Sequence, residues 1–176
     1  MTLSARIADL IVDVPDWPLP GIVFKDITPV LGHPETLREV VDALTEPYLG
    51  AEVRIDKVVG IEARGFLLAA PVAYHLSAGL VPMRKPDKLP REVRTRSYAL
   101  EYGTNTLAVH TDAFEPGDRV LVVDDVLATG GTMATALQLV EDCGATVVGV
   151  SVLMELSFLP WRAALSGVPV RHLLSV

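Results

Sequence analysis

Short apolar runs alternate with longer stretches of helical spacing along most of the chain. Short runs bounded by turn residues are typical of buried strands, whereas apolar residues three and four positions apart are typical of helices. Strands are predicted at residues 57–61, 80–83, 119–123, 146–153 and 170–174, and helices at 3–12, 64–76 and 131–143, with a further helix from 33 toward 47. This alternation predicts an α/β fold: a mostly parallel, twisted sheet flanked by helices and joined by right-handed crossovers.

Two segments depart from the alternation. Pro15, Pro18 and Pro20 forbid a regular helix early in the chain, and residues 21–28 read as a short strand or extended loop. Residues 83–107 are polar and rich in Lys and Arg, and connections of that length in a compact domain are usually functional or disordered. No repeat or linker divides the sequence, so a single domain over residues 1–176 is predicted.

Composition narrows the classes of function. The 176 residues are half hydrophobic and 21% charged, which is typical of a folded domain. A formal net charge of −7 disfavours general nucleic-acid binding but leaves room for a local positive pocket that binds small anions. The single cysteine, Cys143, excludes an internal disulfide, and no signal peptide or long apolar run is recognisable. We therefore expect a cytoplasmic protein that binds neither nucleic acid nor membrane.

The strongest chemical signal follows the predicted strand at 119–123. That strand leads into Asp124 and Asp125, and a loop of small and hydroxyl-bearing residues then opens a helix. The loop residues are Ala128, Thr129, Gly130, Gly131 and Thr132. Their backbone N–H groups, with the positive end of the helix dipole, suit a phosphate. The acids would repel a phosphate and are expected to face sugar hydroxyls or a cation, so a ribose 5-phosphate meets both demands.

Two other phosphate motifs are excluded. The P-loop needs Gly-Lys followed by Ser or Thr, and the dinucleotide fingerprint needs Gly-x-Gly-x-x-Gly; the sequence contains neither. An isolated Asp-Asp pair would be interpreted as a helix cap. The succession of strand, acids, loop and helix favours a ligand site instead, because ligands bind outside the carboxyl ends of parallel strands.

A second loop follows the predicted strand at 57–61. It contains Glu62, Ala63 and Arg64, and Gly65 opens the next helix. The guanidinium of Arg64 is a planar, permanently charged donor for phosphate oxygens, and Gly65 permits a close backbone approach. A surface arginine beside a helix start is the alternative on local evidence.

The string from Val122 to Met133, together with the Arg64 loop and the segment around Phe24, resembles the phosphoribosyl pyrophosphate signature of type I phosphoribosyltransferases, and most closely that of the members that use adenine. The resemblance implies that family's fold, with a small N-terminal hood at about 15–30 and a mobile catalytic loop at about 84–105. It also implies purine salvage: transfer of the phosphoribosyl group from phosphoribosyl pyrophosphate to adenine, giving AMP and pyrophosphate. The resemblance further implies that Mg²⁺ takes part, held mainly by substrate and water. It also implies that the protein is a homodimer.

The same resemblance assigns roles in the transfer. Asp124 and Asp125 would hold the ribose hydroxyls and offset the charge that develops on the sugar. Arg64 would contact pyrophosphate together with three basic residues of the mobile loop, Arg84, Lys85 and Lys88. Glu101 is implied as the general acid toward the purine N7 side, with Tyr102 beside it; a carboxyl can serve if its pKa is raised on loop closure.

The proline-braced segment is the expected base pocket. It holds Phe24 in a short extended stretch, and a fixed aromatic ring suits a stacked purine. By resemblance, Val23, Phe24 and Lys25 lie near the base, and Leu156 forms the opposing apolar wall. An ordinary core aromatic is the alternative for Phe24.

Two other functions remain open at this point. One is a phosphoribosyltransferase for hypoxanthine, guanine or xanthine, because base preference depends on a few pocket contacts. The other is a regulator that binds phosphoribosyl pyrophosphate without catalysis. Such a regulator needs a nucleic-acid surface or an added domain, and the acidic, single-domain sequence indicates neither.

Overall fold

The structure, a computed structural model, describes residues 1–50, 54–99 and 104–176. In chain order its helices and strands are α1 (Leu3–Leu10), β1 (Val12–Pro15), β2 (Val23–Asp26), α2 (Thr28–Gly32), α3 (Pro34–Thr45), β3 (Lys57–Ile61), α4 (Gly65–His75), β4 (Gly79–Met83), β5 (Val93–Ala99), β6 (Thr104–His110), β7 (Arg119–Leu127), α5 (Gly131–Asp142), β8 (Thr146–Glu155), α6 (Trp161–Ala164) and β9 (Val170–Ser175). A five-stranded sheet in the order β4-β3-β7-β8-β9 forms the centre, and every pairing in it is parallel. The predicted parallel sheet with flanking helices is confirmed.

Both faces of the sheet are buried. Along β7, Val120 and Val122 pack into one core with residues of α5, whereas Leu121 and Val123 pack into a second core with residues of α1, α3 and α4. Successive side chains of a strand point to opposite faces, so a strand covered on both sides is apolar at every position. This is why the sequence shows a continuous apolar run there and not an alternation.

The four predicted helices correspond to α1, α3, α4 and α5, whereas the short helices α2 and α6 were not predicted. Helix α1 ends at Leu10, two residues before the predicted end at 12, because Val12 is drawn into β1 and pairs with Asp26. Tertiary pairing thus overrides local helical spacing at this point. No helix in the described ranges combines the length and apolar character that crossing a membrane requires.

The polar segment at 83–107 is more regular than the sequence indicated. Much of it forms the antiparallel hairpin β5–β6, in which Val93 pairs with His110 and Arg96 pairs with Leu107. One face of the hairpin packs on the core through Leu107 and Val109, and the other carries polar residues. The β5 positions on the same face as Leu107 and Val109 are Arg94, Arg96 and Tyr98, so β5 lacks the apolar alternation that is typical of a half-buried strand. Residues 100–103 lie outside the described residues.

Strand β7 extends beyond its predicted end at Val123 and carries both acids within it. It stays paired with β8 as far as Leu127, opposite Glu155, whereas its pairing with β3 ends at Val123. Asp124 and Asp125 therefore lie where β7 has a neighbouring strand on one side only. The missing neighbour leaves an opening at the carboxyl edge of the sheet.

Candidate active site

A cavity of about 590 Å³ lies at this opening. Its walls come from four parts of the chain: the β1–β2 hood, the loop after β3, the basic segment after β4, and the loop after β7. The lining residues are Trp17, Phe24, Ile61, Glu62, Ala63, Arg64, Lys85, Asp124, Asp125, Val126, Leu127, Ala128, Thr129, Gly130, Thr132 and Met133. Ligands of parallel α/β sheets bind at this edge.

The loop from Ala128 to Gly130 joins β7 to α5. Gly130 has φ +85°, in the left-handed region that favours glycine. A Cβ atom at this position would lie 3.2 Å from the Cβ atoms of Trp161 and Ala164, so the back of the loop presses against α6. The first-turn N–H groups of α5 have no partners within the helix and remain available for an anion.

A buried carboxylate holds Trp161 behind this loop. Glu155 is 2% exposed; its Oε2 accepts a hydrogen bond from Trp161 Nε1 at 2.7 Å, and its Oε1 accepts one from Ser175 Oγ at 2.6 Å. Burial by itself would raise the pKa of Glu155, but these hydrogen bonds and two nearby basic side chains hold that pKa below its ordinary value. A charged Glu155 therefore anchors the residue that supports Gly130.

The two acids have different surroundings. Asp125 is 5% exposed, and its Oδ2 lies 2.7 Å from Nε of Arg64. Asp124 Oδ1 accepts a hydrogen bond from the backbone N–H of Asp125 at 2.9 Å. Burial, and then the neighbouring charge of Asp125, raise the pKa of Asp124 well above its ordinary value. Gly65 is needed here, because a Cβ atom on it would lie 2.7 Å from Asp124 Oδ1.

Arg64 connects the acids to the hood. Its guanidinium carbon lies 4.6 Å from the centroid of the Phe24 ring, a cation–π distance, while Nε remains beside Asp125. Neither Arg64 Nη1 nor Asp125 Oδ2, both buried, makes a hydrogen bond within the described part of the chain. Arg64 therefore keeps donor capacity that an anionic or hydroxyl-bearing ligand can satisfy.

Glu62 organises the start of the basic segment. Its Oε2 accepts a hydrogen bond from the backbone N–H of Lys85 at 2.9 Å, and its Oε1 lies 3.3 Å from Arg84 Nη2. Burial acts to raise the pKa of Glu62, but these contacts outweigh it and lower that pKa. The Glu62–Ala63 peptide bond is cis. Arg84 also donates to the backbone oxygen of Lys88 at 2.9 Å.

Two aromatic rings form the hood wall. Trp17 and Phe24 meet edge to face, with ring centroids 4.3 Å apart and an interplanar angle of 64°. Such pairs stabilise each other beyond the area that they bury. Phe24 is thus a supported ring that faces the cavity, not an ordinary core aromatic.

The chain is similar to known proteins in both sequence and structure. The model of the phosphoribosyl transferase domain family matches residues 27–157. A protein named adenine phosphoribosyltransferase from Acidothermus cellulolyticus is 62% identical over 174 residues, which cover 99% of this chain and 97% of that protein. The chain belongs to the adenine phosphoribosyltransferase family. The crystal structure of the Rhodothermus marinus member has a TM-score of 0.94 and 53% identity, covering 99% of this chain and 98% of that one.

Another solved member of the family was crystallised with ligands. The Saccharomyces cerevisiae adenine phosphoribosyltransferase was crystallised with D-2,5-dideoxy-2,5-imino-altritol 1,6-bisphosphate and adenine. It has a TM-score of 0.90 and 37% identity to this chain, and the match covers 98% of each. The fold of the adenine phosphoribosyltransferase family is therefore shared over nearly the whole chain.

Most of the site residues expected from the sequence meet at the cavity. Those that line it are Phe24, Glu62, Ala63, Arg64, Lys85, Asp124, Asp125, Ala128, Thr129, Gly130 and Thr132, and Gly131 begins α5 directly beside them. Their roles in an adenine phosphoribosyltransferase remain predictions. Glu101 and Tyr102 lie outside the described residues.

Other expected residues lie apart from the cavity lining. Lys25 Nζ forms an ion pair with Asp13 of the neighbouring strand at 2.7 Å. Val23 is half exposed at the start of β2. Leu156 donates its backbone N–H to the oxygen of Leu127 at 2.9 Å, but its side chain does not line the cavity. Arg84 contacts Glu62 of the lining and donates to the backbone oxygen of Lys88, but neither Arg84 nor Lys88 lines the cavity.

Sequence reasoning missed three contributors: Trp17, Trp161 and Glu155. Trp17 lies within the proline-braced segment and two residues after Pro15, so an exposed aromatic in that segment was an available signal. Glu155 and Trp161 gave no local signal, since they act on Gly130 only after β8 and α6 come together.

The raised pKa of Asp124 predicts that Asp124→Asn stabilises the ligand-free protein. A carboxyl whose pKa is higher in the folded than in the unfolded chain reduces stability as pH rises above its ordinary value of 3.8, because the folded state must then hold the charge. The free energy of unfolding, measured with urea at several pH values, should be higher for the variant at neutral pH, and the difference should grow as pH rises.

The control for this measurement is Asp112→Asn. Asp112 is an exposed carboxyl whose pKa is lowered by its hydrogen bond from Arg91, so its removal should bring no gain at neutral pH. A difference between Asp124→Asn and the parent that stays constant from acid to alkaline pH would contradict the raised pKa.

Proposed function

We propose that this chain transfers the 5-phosphoribosyl group of phosphoribosyl pyrophosphate to adenine, giving AMP and pyrophosphate in purine salvage. The observation that carries the proposal is one cavity that joins a phosphate-type loop, two acids and an aromatic hood. Membership of the adenine phosphoribosyltransferase family supports the choice of adenine. The cytoplasmic location expected from the sequence stays a prediction.

The loop after β7 would bind the 5-phosphate of the sugar. Ala128 to Thr132 combine a left-handed glycine, unpaired helix N–H groups and two threonine hydroxyls, which are donors that suit a phosphate dianion. Because α6 supports Gly130 from behind, the loop is held in shape before the ligand arrives. Preorganised donors stabilise charge without a reorganisation cost at the moment of binding.

Asp124 and Asp125 would accept hydrogen bonds from the ribose hydroxyls. As the bond from C1′ to pyrophosphate breaks, the leaving group takes the electron pair and the sugar becomes cationic; adenine N9 then supplies the pair for the new bond and adenine releases a proton. Two carboxylates near that sugar favour the developing positive charge. Ribose hydroxyl donors would also lower the pKa of Asp124, because they favour its charged form.

Basic residues would neutralise the departing pyrophosphate. Lys85 lines the cavity, and Arg84 contacts Glu62 of the lining and the backbone oxygen of Lys88. In the ligand-free protein Arg64 rests over the Phe24 ring, where a purine would stack. Pyrophosphate oxygens would therefore draw Arg64 toward themselves and free the ring for the base. Resemblance to the family also implies roles near the base, and these stay predictions. They concern Val23, Lys25, Leu156, Glu101 and Tyr102.

Mg²⁺ fits this arrangement as a partner of the substrate. No group of three or more His, Cys, Asp or Glu side chains able to hold a metal exists in the described ranges, so the protein alone does not offer a complete metal site there. Asp124 and Asp125 are hard oxygen donors beside the expected sugar position, and Mg²⁺ prefers oxygen ligands with several retained waters. When bound, the ion would neutralise part of the diphosphate charge.

The reaction is tested by mixing the protein with phosphoribosyl pyrophosphate, Mg²⁺ and each purine in turn. Pyrophosphate release is expected with adenine and at much lower rates with hypoxanthine, guanine and xanthine, and it should stop when the metal is chelated. Faster release with hypoxanthine, guanine or xanthine would identify that base, and not adenine, as the substrate. Tight binding of phosphoribosyl pyrophosphate without release under any condition would identify a regulator instead.

Asp125→Asn should lower kcat by about 100-fold or more, since it removes a charge that faces the cationic sugar. Asparagine has nearly the same shape as aspartate and removes only the charge that pairs with Arg64, so folding should be affected less than turnover. The measurement is steady-state AMP formation, with thermal unfolding as the check on folding. Asp112→Asn, on the surface, serves as the matched control and should turn over normally. Near-normal turnover by Asp125→Asn would refute the assigned role.

We infer that two copies of the chain associate through the outer face of α4. Leu67, Ala70 and Tyr74 form an exposed stripe along this helix, with half-buried Pro71 beside them, although the opposite face is already buried in the core. The exposed fractions are 54% for Leu67 and 83% for Tyr74. A helix that is apolar all round is typical of one covered on all sides. Leu80, on the edge strand β4, adds a further exposed apolar side chain.

Self-association is tested by sedimentation of the parent and of Leu67→Glu. The parent should sediment as a dimer, and the variant as a monomer at the same concentration, because a charge in the middle of an apolar interface is costly to desolvate. Leu49→Glu alters an exposed leucine outside α4 and should leave the dimer intact. A parent that sediments as a monomer would contradict the inference.

A further inference from the structure

A chain of hydrogen bonds runs from the β5–β6 hairpin to the loop after β7, residues 128–132, which is called the phosphate loop below. Tyr98 Oη lies 2.7 Å from Thr132 Oγ1, and Asn105 Nδ2 donates to the same Tyr98 oxygen at 3.0 Å. The Tyr98 ring also packs against the loop, since its Cδ2 would lie 3.7 Å from a Cβ atom on Gly131. Tyr98 and Asn105 belong to the hairpin, and Thr132 belongs to the first turn of α5.

The direction of these hydrogen bonds follows from the asparagine. Asn105 Oδ1 accepts from the backbone N–H of Thr106 at 3.0 Å, so the amide nitrogen is the end that faces Tyr98. An amide nitrogen only donates, and Tyr98 oxygen must therefore accept from it. The Tyr98 hydrogen remains to be placed, and Thr132 Oγ1 is the sole acceptor within reach among the described residues.

Either hydroxyl could donate in the Tyr98–Thr132 contact. With Tyr98 as the donor, the Thr132 hydroxyl hydrogen does not point back along the same bond. A hydroxyl has one hydrogen, and that of Thr132 is left to face the cavity that the residue lines. We propose that Tyr98 and Asn105 are positioning residues that orient the Thr132 hydroxyl as a donor to the sugar phosphate. This inference rests on the proposed function, which places that phosphate on residues 128–132.

The arrangement gives the β5–β6 hairpin a role at the ligand site. An oriented hydroxyl next to a phosphate oxygen need not reorganise on binding, which favours the bound state. Tyr98 lies three positions before Glu101 in the sequence. Occupation of the phosphate loop is therefore linked through Thr132 and Tyr98 to the strand that leads to this candidate acid.

The test is a double-mutant cycle between Tyr98→Phe and Thr132→Val, read by calorimetric titration with ribose 5-phosphate. Tyr98→Phe keeps the ring and should weaken binding about 5-fold to 20-fold, the order of magnitude expected when one hydrogen bond is lost. Thr132→Val should weaken it at least as much. The double variant should bind like Thr132→Val alone, because no hydroxyl then remains to be oriented.

Two further readouts separate positioning from a loss of structure. Tyr98→Phe should raise KM for phosphoribosyl pyrophosphate far more than it lowers kcat, and it should leave the affinity for free pyrophosphate unchanged. Ser97→Ala is the matched control, since it removes another hydroxyl hydrogen bond of the same hairpin, the exposed one to Thr106. This control should bind ribose 5-phosphate like the parent.

Asn105→Asp tests the direction in which the hydrogen bonds from Asn105 through Tyr98 to Thr132 are donated. An aspartate can only accept, so Tyr98 would turn its hydrogen toward residue 105 and Thr132 would donate to Tyr98 instead of to the ligand. Affinity for ribose 5-phosphate should fall in the parent background and change little in the Tyr98→Phe background. An equal fall in both backgrounds would indicate charge repulsion and overturn the directional chain.

The outcomes also separate this inference from the proposed function. If Thr132→Val binds ribose 5-phosphate like the parent, the phosphate does not lie on this loop and the proposed placement fails. If Thr132→Val weakens binding but Tyr98→Phe does not, only the positioning role is overturned. Additive losses in the double variant, or an equal loss of pyrophosphate affinity, would likewise overturn it.

Discussion

The unequal lengths of the strands beside β7 are the constraint on which the rest of the site depends. β8 accompanies β7 to Leu127, whereas β3 stops pairing at Val123, so the last residues of β7 have hydrogen-bonded backbone on one side and open space on the other. A strand held on one edge is rigid enough to fix Asp124 and Asp125. The absent neighbour leaves open space beside both acids. Gly65 completes the fit, because only a residue without a side chain lets α4 begin so close to Asp124.

Within the cavity, the negative charges of the two acids are only partly balanced by a nearby arginine. The acids lie next to each other with Arg64 as their nearest counter-ion, and burial raises the pKa of Asp124. Such a site is unfavourable for the ligand-free protein, and functional sites commonly reduce stability in this way. The same environment favours a ligand that brings hydroxyl donors and a positive charge to the acids and an anion to the arginine.

The phosphate loop is supported from two directions by parts of the chain that are distant in sequence. Glu155 fixes Trp161 behind Gly130, and the Tyr98 hydroxyl meets Thr132 from the hairpin. Both supports are polar contacts at the boundary of the core, where a hydrogen bond fixes orientation as well as position. A loop of small residues has little shape of its own, because glycine and alanine offer few contacts, and neighbouring side chains therefore have to define its shape.

The sequence by itself determined the parallel sheet, its flanking helices, and the acid–loop–helix string at Asp124 to Thr132, because these depend on apolar periodicity and on residue types adjacent in the chain. It also led to the family through that string. The tertiary structure alone decided where β7 ends, that the polar segment forms a hairpin, and that Lys25 pairs with Asp13. It alone brought Trp161 and Tyr98 to the phosphate loop. These features depend on contacts between residues far apart in sequence. The local pattern of residue types does not indicate which distant segments will come into contact.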